Sequence, residues 1–304
     1  MRDVQVVGIS DPHAVSAIAT LAGCPGFSSD TELYETARPD FVFAFGRHCD
    51  MAAGARELIA RRIPFAMEKP CGLDAAKFGE VARLASAAAV FAAVPFVFRQ
   101  GRMRETIARV TAGEAMRTLS FKFVAGGADR YRDAGCSWML RRALSGGGCL
   151  LNLGVHFVDL FSAMVAPAAP VVVAAAMSNA HAGHDIEDHA VLVLRSGDAT
   201  CLIETGYFYP ARTDRFDMHF SIRTERHHFV APDRDTLDII DASGHLVRER
   251  MPTTNVPYYA MFVRDVLRRT AAGEHPVAGL VDMAAALRII ETAYAMAPLP
   301  GQRT

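Results

Sequence analysis

Two short segments hold side chains whose types and spacing could do chemistry. In the first, Glu68-Lys69-Pro70 follows the apolar run Phe65-Ala66-Met67. Lysines occur only at 69, 77 and 122, and arginine supplies the rest of the 32 basic residues. A lysine retained in so arginine-rich a chain suits a role for a compact, titratable amine, because Lys shifts its pKa on burial and Arg does not. A loop lysine with no special role is the alternative. The second segment is Ser145-Gly146-Gly147-Gly148-Cys149-Leu150-Leu151-Asn152-Leu153-Gly154-Val155-His156-Phe157-Val158-Asp159-Leu160. At about 100° per residue, Gly148, Asn152, His156 and Asp159 share a stripe roughly 80° wide, and apolar residues cover the rest. Such a helix must be buried, so its polar stripe either lines a cleft or is satisfied internally. A core histidine held between Asn152 and Asp159 for structural reasons gives the same pattern.

The pattern of the first hundred residues predicts how these groups are positioned. Apolar runs at 4–9, 41–45, 65–67 and 90–96 alternate with helical patterns at 14–22, 51–62 and 75–88. Strand and helix in alternation imply a parallel sheet with crossover helices, and nearly continuous apolar strands imply cover on both faces. Lys69 then sits at the carboxyl end of a strand, where open α/β sheets bind ligands. Beyond residue 98 the rhythm changes. A helix at 102–112, a strand at 117–124 and the buried helix at 148–165 precede strands at 171–178, 190–195, 199–207, 216–224, 227–231 and 236–241. Helices at 258–272 and 280–297 close the chain. The expected fold is α/β: a Rossmann-like parallel-sheet domain over 1–97, and over 98–304 an α+β domain with a large, mostly antiparallel sheet and C-terminal helices packing back on the first domain.

Composition narrows the partners. The 304 residues carry 32 basic and 33 acidic side chains, net −1, which gives no electrostatic footprint for nucleic acid. The chain is 51% hydrophobic and 21% charged, the make-up of a folded protein. Its six cysteines are scattered without any Cys-x-x-Cys, so neither a zinc knuckle nor a redox pair is expected, and reduced thiols suggest a cytoplasmic setting. The stretches 85–98 and 163–177 are interrupted by prolines and fall short of the roughly 18 residues of a membrane span. His181, His184, Asp185, Asp188 and His189 lack a familiar ligand spacing and read as a solvated loop, so no metal is expected.

Together the two segments resemble the Gfo/Idh/MocA family (glucose-fructose oxidoreductase and inositol dehydrogenase). The residues that carry the likeness are Glu68-Lys69-Pro70, and Gly146-Gly147-Gly148 leading to Asn152-x-Gly154-x-His156-x-x-Asp159. Ile9-Ser10-Asp11-Pro12, Glu204-Thr205-Gly206-Tyr207 and Gly273-x-x-Pro276 support it. The resemblance implies hydride transfer between NAD(P) and a sugar, polyol or related hydroxy compound. His156 would be the general base and Lys69 would stabilise the alkoxide. Asn152, where many members carry Asp, would contact substrate, with Asp159 beside it. Arg130, Tyr131, Trp138 and Arg141 could hold substrate, or serve packing and surface roles.

On the cofactor side the resemblance implies Asp11, His48, Glu68, Lys69 and Pro70, with Asp11 favouring NAD over NADP. Asp11 could equally initiate a turn before Pro12, and His48 could cap a helix. The family's first strand and Gly-x-Gly-x-x-Gly turn do not precede Val4. Strands 2 and 4 of the usual order then pair directly, or the sheet splits, or Met1 is internal to a longer natural chain, which is the favoured expectation. The rival to an enzyme is a catalytically silent binding or assembly module. A hydrolase or lyase on the same scaffold is a third possibility. Expected partners are a small-molecule substrate and a second or fourth copy of the chain, with no nucleic acid and no membrane.

Overall fold

A computed structural model describes residues 4–11, 15–210 and 216–299. The parallel-strand part runs β1 (Ile9–Ser10), α1 (Val15–Ala22), β2 (Gly26–Phe27), α2 (Asp30–Ala37), β3 (Val42–Ala44), α3 (His48–Ala60), β4 (Phe65–Met67), α4 (Ala75–Ala87) and β5 (Ala92–Ala93). A 3₁₀ turn, Val97–Gln100, leads to α5 (Arg102–Thr111), β6 (Met116–Gly126), α6 (Arg130–Asp133) and α7 (Arg142–Ser145). Next come a π-helical turn at Leu150–Gly154 and α8 (Val155–Val165). Strands β7 (Val171–Ser178), β8 (His189–Ser196), β9 (Ala199–Tyr209), β10 (Asp217–Thr224), β11 (His227–Ala231), β12 (Thr236–Asp241) and β13 (Leu246–Arg250) follow, then α9 (Val256–Ala272) and α10 (Leu280–Met296).

The parallel strands form two separate sheets, β1–β2 and β3–β4–β5. The strand expected over 4–9 contracts to Ile9–Ser10, which pairs with Gly26 and Phe27. An apolar run becomes a strand only where a neighbour supplies ladder partners, and Val4, Val6 and Val7 remain exposed. β4 is buried throughout, as expected for a strand covered on both faces. Asp74 caps α4 by accepting from the Lys77 amide at 2.8 Å, which ends the loop that begins at Glu68.

The large sheet has the order β13-β12-β11-β10-β6-β9-β8-β7 and is antiparallel except where β6 pairs β9. Alternate residues of β8 and β9 are buried, so one face of the sheet forms a core. Helix α8 fills that core: Val155 to Phe161 are all buried, and Phe157 stacks on Phe121 at 5.3 Å. With α7 and the π turn it makes a stretch, Arg142–Val165, that has the length and apolarity of a membrane span, contrary to the sequence expectation. Seventy-two per cent of its most apolar window is buried inside the protein, the position of a core helix.

Arg99, in the 3₁₀ turn, ties α8 to α10. Its Nε and Nη2 donate to Asp159 Oδ2 and Oδ1 at 2.8 and 2.5 Å, and Nη2 also reaches Asp282 at 2.9 Å on the first turn of α10. Val94 N donates to Ala278 O at 3.0 Å, and Glu291 of α10 accepts from Ala75 N of α4 at 2.6 Å. The C-terminal helix is thus held against both the buried helix and the parallel-sheet domain.

Candidate active site

The end of β4 places Lys69. Glu68 N continues the ladder by donating to Ala44 O at 3.0 Å, after which the chain leaves the sheet through a cis Lys69–Pro70 bond. Lys69 is buried, and its Nζ donates to the backbone and side-chain oxygens of Asn152 at 2.8 and 2.9 Å. Glu68 Oε1 lies 3.8 Å from the ammonium. Burial lowers the Lys69 pKa from its ordinary value, and Glu68 opposes that shift. Two segments 83 residues apart therefore meet in one site.

The ammonium can only donate, so Asn152 must turn Oδ1 toward Lys69 and its amide nitrogen the other way. Nδ2 donates to Tyr131 Oη at 2.7 Å and Tyr207 Oη at 2.9 Å. Arg130 lies over both rings, at 4.5 and 4.7 Å from their centroids. Tyr207 was not recognised from sequence as a site residue. It is a β9 residue whose hydroxyl reaches Asn152 only because β9 runs beneath the π turn.

His156 lies one turn further along. Its ring meets Phe98 and Phe96 edge-on at 5.8 and 6.3 Å, and Nδ1 is buried without a hydrogen-bond partner among the described residues. Burial, reinforced by the Lys69 charge, holds its pKa well below the ordinary histidine range. Both influences favour the uncharged ring. The sequence option of a histidine clamped between Asn152 and Asp159 is not what forms: Asn152 bonds Lys69 and the tyrosines, and Asp159 bonds Arg99. Asp159 thus holds the buried helix in place, with both its carboxylate oxygens engaged away from Asn152.

His48 opens α3, and its Nδ1 lies 2.7 Å from Ser145 O, so that nitrogen carries the proton. Trp138 packs edge-on against the ring at 4.9 Å. Burial pushes His48 down to about 4. Asp11 lies half-buried at the end of β1, on the separate two-stranded sheet. The structure therefore gathers Glu68, Lys69, Asn152, His156, Tyr131 and Arg130, brings His48 and Trp138 together beside Ser145, and leaves Asp11 on another sheet.

The three glycines preceding the helix have a packing cause. Gly146 has φ +82°, in the left-handed region. A Cβ on Gly147 would overlap the Tyr294 hydroxyl, and one on Gly148 the Glu187 carbonyl. Glu187 Oε1 accepts from Gly148 N at 2.9 Å, Leu150 N at 3.0 Å and Tyr294 Oη at 2.8 Å. A buried carboxylate thus caps the helix that carries Asn152 and His156. Of the residues expected in a solvated loop, His181 and Asp185 are exposed and His184 and His189 half-buried, whereas Asp188 is buried, its Oδ2 accepting from Ala182 N at 2.8 Å; Glu187 beside it is buried because the helix start needs its carboxylate.

The two buried imidazoles set a pH dependence. An unfolded chain protonates them from about 6.5 downward, whereas the fold keeps both neutral, so protons favour the unfolded state between about 6.5 and 4. Stability is expected to fall as pH drops through that window. Histidine NMR should find these two rings still neutral at pH 5.5, and titration of both with midpoints above 6 would refute the assignment.

The candidate site thus lies where a parallel-strand end meets the buried helix beneath the large sheet. Residues 102–226 match the family model described as the GFO/IDH/MocA C-terminal domain. The whole chain has the fold of Gfo/Idh/MocA-type oxidoreductases. It is similar to a UDP-N-acetylglucosamine 3-dehydrogenase from Acidithiobacillus ferrooxidans, with 18% identity, 97% of this chain and 91% of that one covered, and a TM-score of 0.79. An oxidoreductase from Agrobacterium radiobacter, in complex with NAD+, L-tartaric acid and magnesium, gives 16%, 97% and 90%, and 0.83. A 3-ketoreductase from Actinomadura kijaniata, in complex with NADP and TDP-benzene, gives 14%, 97% and 90%, and 0.79. No curated protein sequence matches the chain.

Proposed function

We propose that the chain is an NAD(P)-dependent oxidoreductase that transfers a hydride between nicotinamide and a carbinol carbon of a sugar, polyol or related hydroxy compound. The observation that carries this reading is the meeting of Lys69 with Asn152, one turn from His156, whose buried Nδ1 has no hydrogen-bond partner among the described residues. A general base needs a vacant nitrogen, and a developing alkoxide needs a fixed cation beside it. In the oxidative direction His156 takes the hydroxyl proton as the C–H bond breaks, and Lys69 neutralises the charge growing on the oxygen. The orientation of Lys69 is set by Asn152 before substrate arrives, so little reorganisation is needed at the reacting centre.

A dinucleotide fits the strand-end crevice on two observations. His156 Nδ1 is a buried polar atom without a partner among the described residues, and Phe45, beside the carboxyl end of β3, leaves an apolar ring 75% exposed. When bound, the nicotinamide supplies the hydride acceptor or donor. Lys69, Glu68, Pro70 and His48 would hold its reactive end, and Asp11 would hold an adenosine ribose, which favours NAD. Six free thiols support a reducing, cytoplasmic setting. The exposed Val171, Val173 and Leu202 on β7 and β9 support a homodimer through the large sheet.

Calorimetric titration with NADH and NADPH tests the reading. Saturable binding of NADH, tighter than NADPH, is expected, and absence of binding by either would overturn it.

A further inference from the structure

The hydrogen-bond directions around Asn152 leave the site rich in donors. Tyr131 Oη accepts from Asn152 Nδ2 and from Arg130 Nη2, the latter at 2.9 Å, so its own proton goes to Tyr207 Oη at 3.4 Å. Tyr207 Oη then accepts from both Asn152 and Tyr131, and its proton has no acceptor among the described residues. Each link passes its donor outward from Lys69, and no acceptor closes the chain.

The charge balance points the same way. Beyond Tyr131, Arg130 donates only to Gly127 O, at 3.2 Å, and no carboxylate forms an ion pair with it among the described residues. The neighbouring Asp129 is taken by Arg132 at 2.9 Å and His184 at 3.2 Å. Stacking over two tyrosines holds the half-buried guanidinium plane in place, which keeps its remaining N–H groups ordered for a planar or tetrahedral oxyanion.

We propose that Arg130 and the Tyr131–Tyr207 hydroxyl pair form an anion subsite beside the reacting centre, so that the substrate is a sugar or polyol bearing a carboxylate or phosphate. This rests on the oxidoreductase reading and narrows its substrate class. Asn152 links the subsite to Lys69, so the anion also fixes the distance between the substrate's charged group and the carbon that is oxidised.

Trp138 is the chain's single tryptophan and lies against His48, which makes it a built-in reporter. The NADH-loaded chain would be titrated with the gluco, galacto and manno forms of three probes: the neutral hexose, the hexuronate and the hexose 6-phosphate. At least tenfold tighter binding of one anionic form than of its neutral parent is expected, and which anion wins separates carboxylate from phosphate. Arg130→Met should abolish the preference, Arg130→Lys should restore part of it, and Arg132→Met should leave it intact. Equal or weaker binding of every anion, or a preference that survives Arg130→Met, would overturn the subsite. The same titrations on the cofactor-free chain keep the two readings apart. Arg130-dependent anion binding without NADH binding would count against the oxidoreductase reading alone.

Discussion

Lys69→Met is expected to lower kcat by about two to three orders of magnitude, the usual effect of removing one fixed donor from a developing oxyanion. Methionine keeps the length and apolar stem of lysine, so the buried channel beside β4 stays filled. What disappears is the charge and the two bonds to Asn152. A second consequence separates a catalytic role from a structural one. The Lys69 charge helps to hold the His156 pKa down, so its removal lets that pKa rise. The base would then be protonated at higher pH, and the acid limb of the residual kcat profile should move upward. Steady-state kinetics across pH 5 to 9, with NADH affinity as a control, checks both. A kcat within tenfold of the parent, or an unmoved acid limb, would remove Lys69 from the chemistry.

The site was legible in sequence where a residue's role depends on its own element. Lys69 could be placed because an apolar run announces β4 and the next charged residues must lie at its carboxyl end. His156 could be placed because a helix apolar on nearly every side has to be buried. Partners fixed by tertiary contact were not legible. Asn152 and Asp159 share a stripe on a regular helix, but the π turn at Leu150–Gly154 widens the spiral, and Asn152 ends on the tyrosines while Asp159 ends on Arg99. Tyr207 carries no local mark, since an aromatic in a strand is usually packing. The first domain's sheet was the least legible part. Runs such as 4–9 have strand composition, but only Ile9–Ser10 has ladder partners, and composition cannot count neighbours.

Glu187→Ala is expected to destabilise the fold by about 4 kcal/mol, because each buried donor left unpaired costs on the order of 1–3 kcal/mol. Three would be orphaned together: Gly148 N, Leu150 N and Tyr294 Oη. Glu187→Gln keeps an acceptor oxygen and should recover most of that loss. The carboxylate has its own pH signature. Burial raises its pKa above the ordinary value, with the Tyr294 and backbone bonds working against the shift. Between the unfolded and folded pKa values the native state therefore holds more protons, and this group's contribution to stability falls as pH rises through that interval. Glu187→Gln abolishes the term, so urea melts of the variant should gain on the parent as pH increases from 4.5. Because α10 supplies Tyr294 and α8 receives the cap, Glu187→Ala should also weaken turnover through misplacement of Asn152 and His156, with kcat falling and the NADH Kd unchanged. An Ala variant as stable as the parent, or a Gln variant no better than Ala, would show that the helix start is held by packing of Gly146–Gly148 alone.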